Sequence, residues 1–271
     1  MKIQVTYATS YAYQGEARSI LQLLRLTPRS HEGQHVVSWQ VETDADVQLR
    51  AATDSFGNLL HVLSTDRPLA GLTITVRGEV RTADTGGVVA RAADPLPSGV
   101  YLRETPLTRP DVALEALAEA VAAEAGPDPL LRLHALLSNL HAEVTFDDRA
   151  TQVTGTAAEA YGQKRGVCQD LSHIFLTVAR RMGIPARYVS GHMVREDGLV
   201  DQEAGHAWVE ALVADFGWVG FDPTNGICPT EAYVRVATGL DYLDAAPIRG
   251  ARNGGGEETM AVRLRVAEAQ Q

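Results

Sequence analysis

The sequence predicts an α+β protein in which a small all-β domain precedes a larger domain of helices and antiparallel strands. Three observations lead to this prediction. Residues 1–82 alternate with the period of strands, residues 111–183 have apolar residues at helical spacing, and residues 185–222 return to alternation. The Gly-, Pro- and Ala-rich segment "TADTGGVVARAADPLPSGV" separates the first two regions, so we expect domains at 1–95 and 96–271.

The first domain is predicted to contain several short strands. Four segments alternate or are rich in β-branched and aromatic residues: "KIQVTYATSYAY", "QHVVSWQVET", "VQLRAAT" and "LTITVRGEV". The turn-forming stretches "TPRSHEGQ", "TDSFGN" and "TDRP" lie between them. This spacing predicts an antiparallel sandwich. No cluster of acids, thiols and imidazoles occurs in this domain to suggest a reaction.

The second domain begins with predicted helices. One runs from Asp111 to Gly126, and "PLLRLHALLSNLHAEV" follows with helical apolar spacing. Thr156-Ala-Ala-Glu159 has the form of a capping box for a third helix. The stretch "RGVCQDLSHIFLTVARRMG" predicts a fourth, with one apolar face and Gly183 at its C-terminal cap. After it we expect strands in "PARYVSGHMVR", "GHAWVEALV" and "GWVGFD", a helix in "TEAYVRVATG" and a last strand in "MAVRLRVAEA".

Bulk composition argues against several classes of function. The net charge is −10 and no basic run exceeds two residues, which argues against a surface for nucleic acid or an anionic membrane. The N-terminal stretch lacks the apolar core of a signal peptide, and no stretch approaches the roughly 18 apolar residues of a membrane span. The two cysteines, 60 positions apart, favour a reducing, cytoplasmic setting. The sequence leaves the oligomeric state open.

Cys168 lies in the first turn of the fourth predicted helix, at the positive end of the helix dipole. Free backbone N–H groups at that end favour a thiolate, and they can also stabilise the oxyanion of a tetrahedral intermediate. The alternative is a structural role, because cysteine is among the most buried residue types. A base near the thiol is needed to decide between the two.

"GHAWVEAL" and "GWVGFDPTNG" supply a candidate base and a candidate carboxylate. His206 begins one predicted strand, and Asp222 ends the next one before Pro223. The short connection "ADFG" predicts antiparallel pairing, which would bring His206 close to Asp222. Cys168, His206 and Asp222 then form a nucleophile, base and orienting group. The alternatives are a structural histidine with a turn-forming aspartate, or a zinc site, whose C-x₂-C or H-x₃-H spacing does not occur.

These three motifs, in this order, closely resemble those of the transglutaminase-like superfamily of papain-like cysteine enzymes. The stretch "YAYQGEARSILQLLRLTPRSHEGQHVVSW" with "DSFGN" also resembles the β domain of a bacterial branch. The resemblance implies a papain-like core in which the cysteine helix packs on an antiparallel sheet. It also implies Cys168 as nucleophile, His206 as general base and acid, and Asp222 as orienting group. The tail "GLDY" departs from the usual Gly-Arg-Asp-Tyr at Leu240.

Five further residues are weaker candidates for substrate binding or for support of the triad. Asp170 either supports the cysteine or caps its helix, and His173, one turn from Cys168, belongs to the same motif. His192 either lines the cleft or lies elsewhere, and Trp208 is either a cleft wall or core. Gln163 is a candidate oxyanion donor by analogy with papain-like proteases. Cys228 receives no catalytic role.

The sequence therefore predicts a thiol-dependent acyl-transfer enzyme acting on peptide or carboxamide bonds through a thioester. Hydrolysis is expected rather than amine transfer, because hydrolysis needs no second binding site for an amine. The expected partner is a peptide or protein substrate, and the predicted reaction requires no metal or organic cofactor. Two alternatives remain: a peptide-binding protein that has kept the fold without turnover, and a metal-binding Cys/His protein.

Overall fold

The structure is a computed structural model that describes residues 1–147 and 155–269. Its helices are α1 (Val112–Ala125), α2 (Pro129–Glu143), α3 (Ala157–Gln163), α4 (Cys168–Arg181) and α5 (Tyr242–Ala245). Strands before them are β1 (Lys2–Thr27), β2 (Gln34–Thr43), β3 (Gln48–Thr53), β4 (Leu59–Thr65), β5 (Leu69–Thr82) and β6 (Val88–Val89). Later strands are β7 (Thr145–Phe146), β8 (Arg165–Gly166), β9 (Ala186–Met193), β10 (Asp201–Gln202), β11 (His206–Val213), β12 (Gly217–Phe221), β13 (Tyr233–Gly239), β14 (Ile248–Gly254) and β15 (Glu258–Glu268).

An eight-stranded antiparallel sheet, here called the N-terminal sheet, is built around the 26-residue strand β1. The first half of β1 pairs with β5 and β15, and its second half pairs with β4 and β14. The predicted sandwich is therefore one hydrogen-bonded sheet, because β1 is long enough to run through both groups of strands. Alternate residues of β1 are buried, as the period-two pattern of the sequence predicts.

The predicted last strand exists as β15, but its neighbour in the sheet is β1. The sequence predicts this strand within residues 96–271, because periodicity predicts a strand without predicting its partner. The segment between the two predicted domains also contributes structure. It contains β6, which pairs with β12 and extends the second sheet. The boundary near residue 95 stays a prediction.

The second sheet, here called the core sheet, has the antiparallel order β13-β9-β11-β12-β6. Helix α4 packs on β9 and β11, and α1, α2 and α3 pack around α4. The apolar face predicted for α4 is buried: Leu171, Ile174, Phe175, Val178 and Ala179 are each at most 1% exposed. Gly183 ends the helix with a φ of 76°, in the left-handed region that glycine adopts readily. Among the described residues, no helix is long and apolar enough to cross a bilayer.

The helix predicted for residues 230–239 is wrong, because most of this segment forms the edge strand β13. Val234, Val236 and Thr238 are β-branched at alternate positions, and β9 offers a free edge for pairing. The register with β9 shifts between Arg235 and Ala237, so the strand contains an irregularity there. This correction bears on the active site, because Tyr233 is the first residue of β13.

Candidate active site

Cys168 is the first residue of α4, and its side chain is partly buried. Gly166 precedes it in β8, where an added Cβ would lie 2.7 Å from both Cβ and Oδ2 of Asp170. Only glycine therefore lets the chain pass so close to the first turn of α4. The Asp170 carboxylate accepts a hydrogen bond from the Val167 N–H at 2.8 Å. These contacts fix the start of the helix and with it the position of the thiol.

Two neighbouring strands bring an imidazole next to a carboxylate. His206 is the first residue of β11, and Asp222 directly follows the end of β12. The strands pair antiparallel with Val209 opposite Phe221. In this register, Nε2 of His206 lies 2.6 Å from Oδ2 of Asp222. The predicted contact between these residues is confirmed, while their catalytic roles stay predictions.

The Asp222 carboxylate is fully buried and accepts hydrogen bonds at both oxygens. Besides His206, Oδ2 accepts from the Tyr233 hydroxyl and from Nδ2 of Asn225, each at 2.7 Å. Oδ1 accepts from the backbone N–H groups of Thr224 at 2.9 Å and Asn225 at 3.2 Å. Burial raises the pKa of Asp222, but the neighbouring His206 charge and these hydrogen bonds outweigh burial and lower the pKa. The group is thus held as a carboxylate.

His206 is surrounded on three sides. Burial lowers its pKa, but Asp222 and the neighbouring side chain of Cys168 outweigh burial and raise the pKa to about 10. Because Asp222 engages Nε2, Nδ1 is the ring nitrogen left for the thiol. Trp208 stacks beside the imidazole with centroids 6.1 Å apart and an interplanar angle of 29°. Chemically, this arrangement can hold a thiolate–imidazolium pair and pass a proton to a bound group.

Family comparison matches two regions of the chain. Residues 115–223 match the core described as the transglutaminase-like superfamily, and residues 3–81 match the bacterial transglutaminase-like N-terminal region. The chain belongs to the transglutaminase-like superfamily. An uncharacterised protein of Mycobacterium leprae is 31% identical to it over 273 residues, covering 96% of this chain and 96% of that protein. The resemblance inferred from the three sequence motifs is thereby confirmed.

Two other relatives extend the comparison. A protein-glutamine gamma-glutamyltransferase of Pseudomonas aeruginosa is 31% identical over 142 residues, covering 46% of this chain and 21% of that protein. A solved structure from Cytophaga hutchinsonii, described as a candidate cysteine protease, matches with a TM-score of 0.77 at 18% identity. That match covers 100% of this chain and 91% of the other. The predicted α+β architecture, with the cysteine helix packed on an antiparallel sheet, is confirmed.

Asp170 and His173, in the cysteine motif of this transglutaminase-like chain, are both fully buried. Asp170 caps α4 through the Val167 N–H, which is the structural alternative given for it. Nε2 of His173 accepts a hydrogen bond from the Tyr242 N–H at 3.1 Å, and the ring lies 5.4 Å from that of Tyr188. Burial, aided by the positive charge of Arg180, lowers the pKa of His173 to about 3. His173 is therefore neutral and ties α4 to the C-terminal tail.

The remaining predicted residues lie in different surroundings. His192 is buried with its ring 6.2 Å from that of Tyr7 in β1, and burial lowers its pKa to about 4. It faces the N-terminal sheet. Trp208 is buried against His206, as described above, which places it in the wall behind the imidazole. Gln163 is exposed at the end of α3, and its role as an oxyanion donor stays a prediction.

Leu240 occupies the position where the resemblance to the bacterial branch leads us to expect an arginine. Its side chain is buried in a cluster with Tyr101 and Trp218. Its carbonyl accepts a hydrogen bond from Nη2 of the buried Arg180 at 2.6 Å. The adjacent Asp241 caps α5 by accepting from two backbone N–H groups. The tail is thus anchored through apolar packing and backbone contacts at this position.

Sequence reasoning missed two partners of Asp222. Tyr233 was placed in a helix, so its approach to the carboxylate was hidden. Asn225 lies three residues after Asp222 in "DPTNG", and this turn composition was the available signal for a side chain folding back. Both residues also line a cleft of about 330 Å³, together with Met193, Glu196, Ile227 and Ala232.

Across residues 1–147 and 155–269, no group of three or more His, Cys, Asp and Glu side chains is placed to hold a metal ion. Cys168 and Cys228 are both free thiols. Burial raises the pKa of Cys228, which favours its neutral form.

Proposed function

We propose that this protein is a thiol-dependent acyl-transfer enzyme that hydrolyses peptide or carboxamide bonds. Cys168 is the nucleophile, His206 the general base and acid, and Asp222 the orienting group. The observation that carries the proposal is the buried His206–Asp222 contact of 2.6 Å, and the Cys168 side chain contributes to the raised pKa of this imidazole. A histidine with a purely structural role would not require a free thiol nearby. The presence of Cys168 at the N-terminus of α4 therefore favours a catalytic role for His206.

The chemistry follows from this geometry. The Cys168 thiolate attacks the carbonyl carbon, forming a C–S bond while the carbonyl electrons move to oxygen. The positive end of α4 stabilises that oxyanion. As the C–N bond breaks, the His206 imidazolium gives its Nδ1 proton to the leaving amine. His206 then takes a proton from water, which attacks the thioester and releases the acid, and the thiolate–imidazolium pair is restored. Asp222 remains ionised throughout and stabilises the charged imidazole.

Amine transfer is the second candidate, and one observation favours it. The matching Pseudomonas aeruginosa protein is a protein-glutamine gamma-glutamyltransferase, and its likeness covers 46% of this chain. In that reaction the same thioester forms, and a primary amine replaces water as the acceptor. Hydrolysis remains the proposal, because it needs only the site described for the acyl group and a water molecule.

A library experiment tests the proposal. Wild type, Cys168→Ala and the control Cys228→Ala are incubated with a peptide library, with and without a primary amine, and read by mass spectrometry. We expect peptide cleavage or glutamine deamidation by wild type and Cys228→Ala, and neither by Cys168→Ala. Amine incorporation instead would establish the second candidate. If no substrate changes with any of the three proteins, the non-catalytic binding alternative replaces the proposal.

A substrate-free test uses the two cysteines as an internal pair. At pH 6 an ordinary thiol, with a pKa near 8.5, is less than about 1% ionised and reacts slowly with iodoacetamide. Cys168, paired with His206, is expected to react roughly 100-fold faster than Cys228 at this pH. Equal, slow labelling of both residues would contradict the proposed thiolate–imidazolium pair.

The setting and partners belong to the same proposal. We propose a peptide or protein as the substrate. The two cysteines are unpaired, which supports the reducing, cytoplasmic setting proposed from the sequence.

A further inference from the structure

We propose that the N-terminal sheet positions the catalytic residues, by holding the exposed edge of β13 through the side chains of Gln34 and Asn58. The proposal assigns Gln34 as a positioning residue for Asp222 and His206, acting through Tyr233. It rests on the proposed function of the triad and gives the N-terminal region a role in that function.

Strand β13 is the edge of the core sheet, so its outer backbone groups have no strand to pair with. Two carboxamides from the N-terminal sheet take the place of that strand. Gln34 donates from Nε2 to the Arg235 carbonyl at 2.9 Å and accepts at Oε1 from the Arg235 N–H at 2.8 Å. Asn58 makes the same paired contact with Thr238, at 2.7 Å to its carbonyl and 2.8 Å from its N–H.

Both carboxamides are buried, and each makes a further hydrogen bond within the N-terminal region. Gln34 is 3% exposed, and its Nε2 also donates to the Arg29 carbonyl at 2.8 Å. Asn58 is 4% exposed and also donates to the Asp54 carboxylate, which pairs with Arg25. Buried polar groups that are fully hydrogen-bonded fix a single geometry, because any shift leaves a donor or acceptor unpaired. These side chains are therefore rigid contacts.

A third contact lies on the other side of Tyr233. The Thr82 hydroxyl donates to the Glu231 carbonyl, so the N-terminal sheet holds the chain two residues before and two residues after Tyr233. The two sheets enclose a cavity of about 50 Å³ whose wall includes Gln34, Thr82 and Tyr233. Trp208 lines the same cavity. The N-terminal sheet thus reaches the residues directly behind the imidazole.

Tyr233 connects this interface to the triad. Its hydroxyl donates to Oδ2 of Asp222 at 2.7 Å, the same oxygen that accepts from His206. Its ring lies edge-on to Trp208 at 5.4 Å and 5.9 Å from the His206 ring. A shift of β13 would move the tyrosine hydroxyl and its ring together. Asp222 and His206 would then lose a hydrogen bond and a packing surface at once.

The test is the pH dependence of Cys168 alkylation, which needs no substrate. Gln34→Met keeps the length of the side chain and removes the paired hydrogen bonds. Gln22→Met is the matched control, because Gln22 is a buried glutamine of β1 whose strand neighbours belong to the N-terminal sheet. We expect Gln34→Met to lower the rate constant for Cys168 at pH 6 roughly fivefold, as for the loss of one net hydrogen bond. Gln22→Met and the Cys228 rates should match wild type.

A double variant tests the route through Tyr233. Tyr233→Phe alone should lower the Cys168 rate roughly fivefold, because it removes one hydrogen bond from Asp222. The double variant combines Gln34→Met with Tyr233→Phe. If Gln34 acts through Tyr233, its Cys168 alkylation rate should fall by less than the roughly 25-fold expected for independent effects. If Gln34→Met does not fold, Gln34→Glu replaces it, since it keeps the acceptor for the Arg235 N–H and removes only the donor.

The outcomes separate the two proposals. A lowered melting temperature with an unchanged Cys168 pH profile in Gln34→Met would overturn the positioning role and leave the proposed function intact. An equal fall in Gln22→Met would overturn it as well, because any lost buried amide would then have this effect. If wild-type Cys168 reacts no faster than Cys228, the triad itself fails, independently of Gln34.

Discussion

Asp222 and Glu210 are both fully buried carboxylates on the hairpin of β11 and β12, and their partners differ in kind. Asp222 contacts an imidazole, a group that can gain or lose a proton. Glu210 contacts two guanidiniums, at 2.7 Å from Arg187 and 2.6 Å from Arg235, and these keep their protons. The first pair can therefore take part in proton transfer, while the second is a fixed structural charge.

The surroundings of Glu210 also indicate a fixed structural charge and not a site of proton transfer. Arg187 is itself 0% exposed and lies 3.9 Å above the Trp218 ring, with Asp94 beside it at 3.5 Å. Burial raises the pKa of Glu210, but Arg235 and Arg187 outweigh it and bring the pKa to about 2. Nothing in this cluster is a nucleophile. Cys168 interacts with the imidazole, so the proposed site of chemistry lies at the carboxylate whose partner is a histidine.

The largest effect is expected when Asp222, the carboxylate of the proposed triad, becomes an amide. In Asp222→Asn, the group still faces donors at both positions, from His206 and Tyr233 on one side and from the backbone of Thr224 on the other. The new NH₂ has no well-placed acceptor, and the imidazolium loses its counter-charge. We expect kcat/KM, on the substrate found in the library, to fall roughly 10³-fold, about 4 kcal/mol.

The matched change at the structural carboxylate should act on stability. Glu210→Gln removes the counter-charge of the partly buried Arg235 and leaves the buried Arg187 with Asp94 alone at 3.5 Å, so the free energy of unfolding should fall by about 3–5 kcal/mol in urea titrations. Cys168 alkylation of the folded protein at pH 6 should change far less than in Asp222→Asn. A variant of normal stability with a lost thiol reactivity would reverse the roles assigned to the two carboxylates.

The sequence predicted the contact between His206 and Asp222 better than its surroundings, for a physical reason. Cys168, His206 and Asp222 each lie at the end of an element, where capping and turn signals mark the position. Glu210 lies inside "HAWVEALV", where a single charge among apolar residues indicates burial but does not indicate a partner. Its partners come from β9 and β13, and pairing between distant strands depends on tertiary packing.

The same limit explains the errors in the fold. Periodicity predicted β15 correctly but not that it pairs with β1, more than 240 residues earlier in the chain. The segment of β13 was interpreted as a helix because "EAYVR" has acceptable helix formers at its start, whereas the β-branched residues that follow and the open edge of β9 favour a strand. The local sequence pattern predicts the type of most elements. Strand pairing, and the type of an ambiguous segment such as β13, depend on partners that are distant in the sequence.

Between pH 7 and pH 5, acid should destabilise the protein through buried histidines and not through either carboxylate. Burial lowers the pKa of His173 to about 3 and of His192 to about 4, below the usual 6.5. The unfolded chain then binds protons first, so this stability is present above pH 6.5 and is lost as pH falls towards 4. At pH 5 each of these two histidines should lower the free energy of unfolding by up to about 2 kcal/mol. His192→Phe should therefore lose less stability between pH 7 and pH 5 than wild type, by urea titration.

The control for this prediction is His35→Gln, because His35 is exposed on β2. It should show the same loss between pH 7 and pH 5 as wild type. An equal loss in His192→Phe would mean that acid acts elsewhere, with the depressed pKa of Asp222 as the next group to examine at lower pH.

The smallest expected effects come from the two tryptophans, one beside each carboxylate cluster. Trp208 stacks on His206, whereas Trp218 lies under Arg187 and donates from Nε1 to Asp94 at 2.7 Å. Trp208→Phe should lower Cys168 alkylation at pH 6 roughly threefold to fivefold, because the imidazolium loses part of its packing surface. Trp218→Phe should leave that rate unchanged and lower the free energy of unfolding by about 1 kcal/mol, through the lost hydrogen bond. Equal effects of both variants on the thiol would show that the two clusters are coupled through β11, and the division between a proton-transfer site and a fixed structural charge would no longer hold.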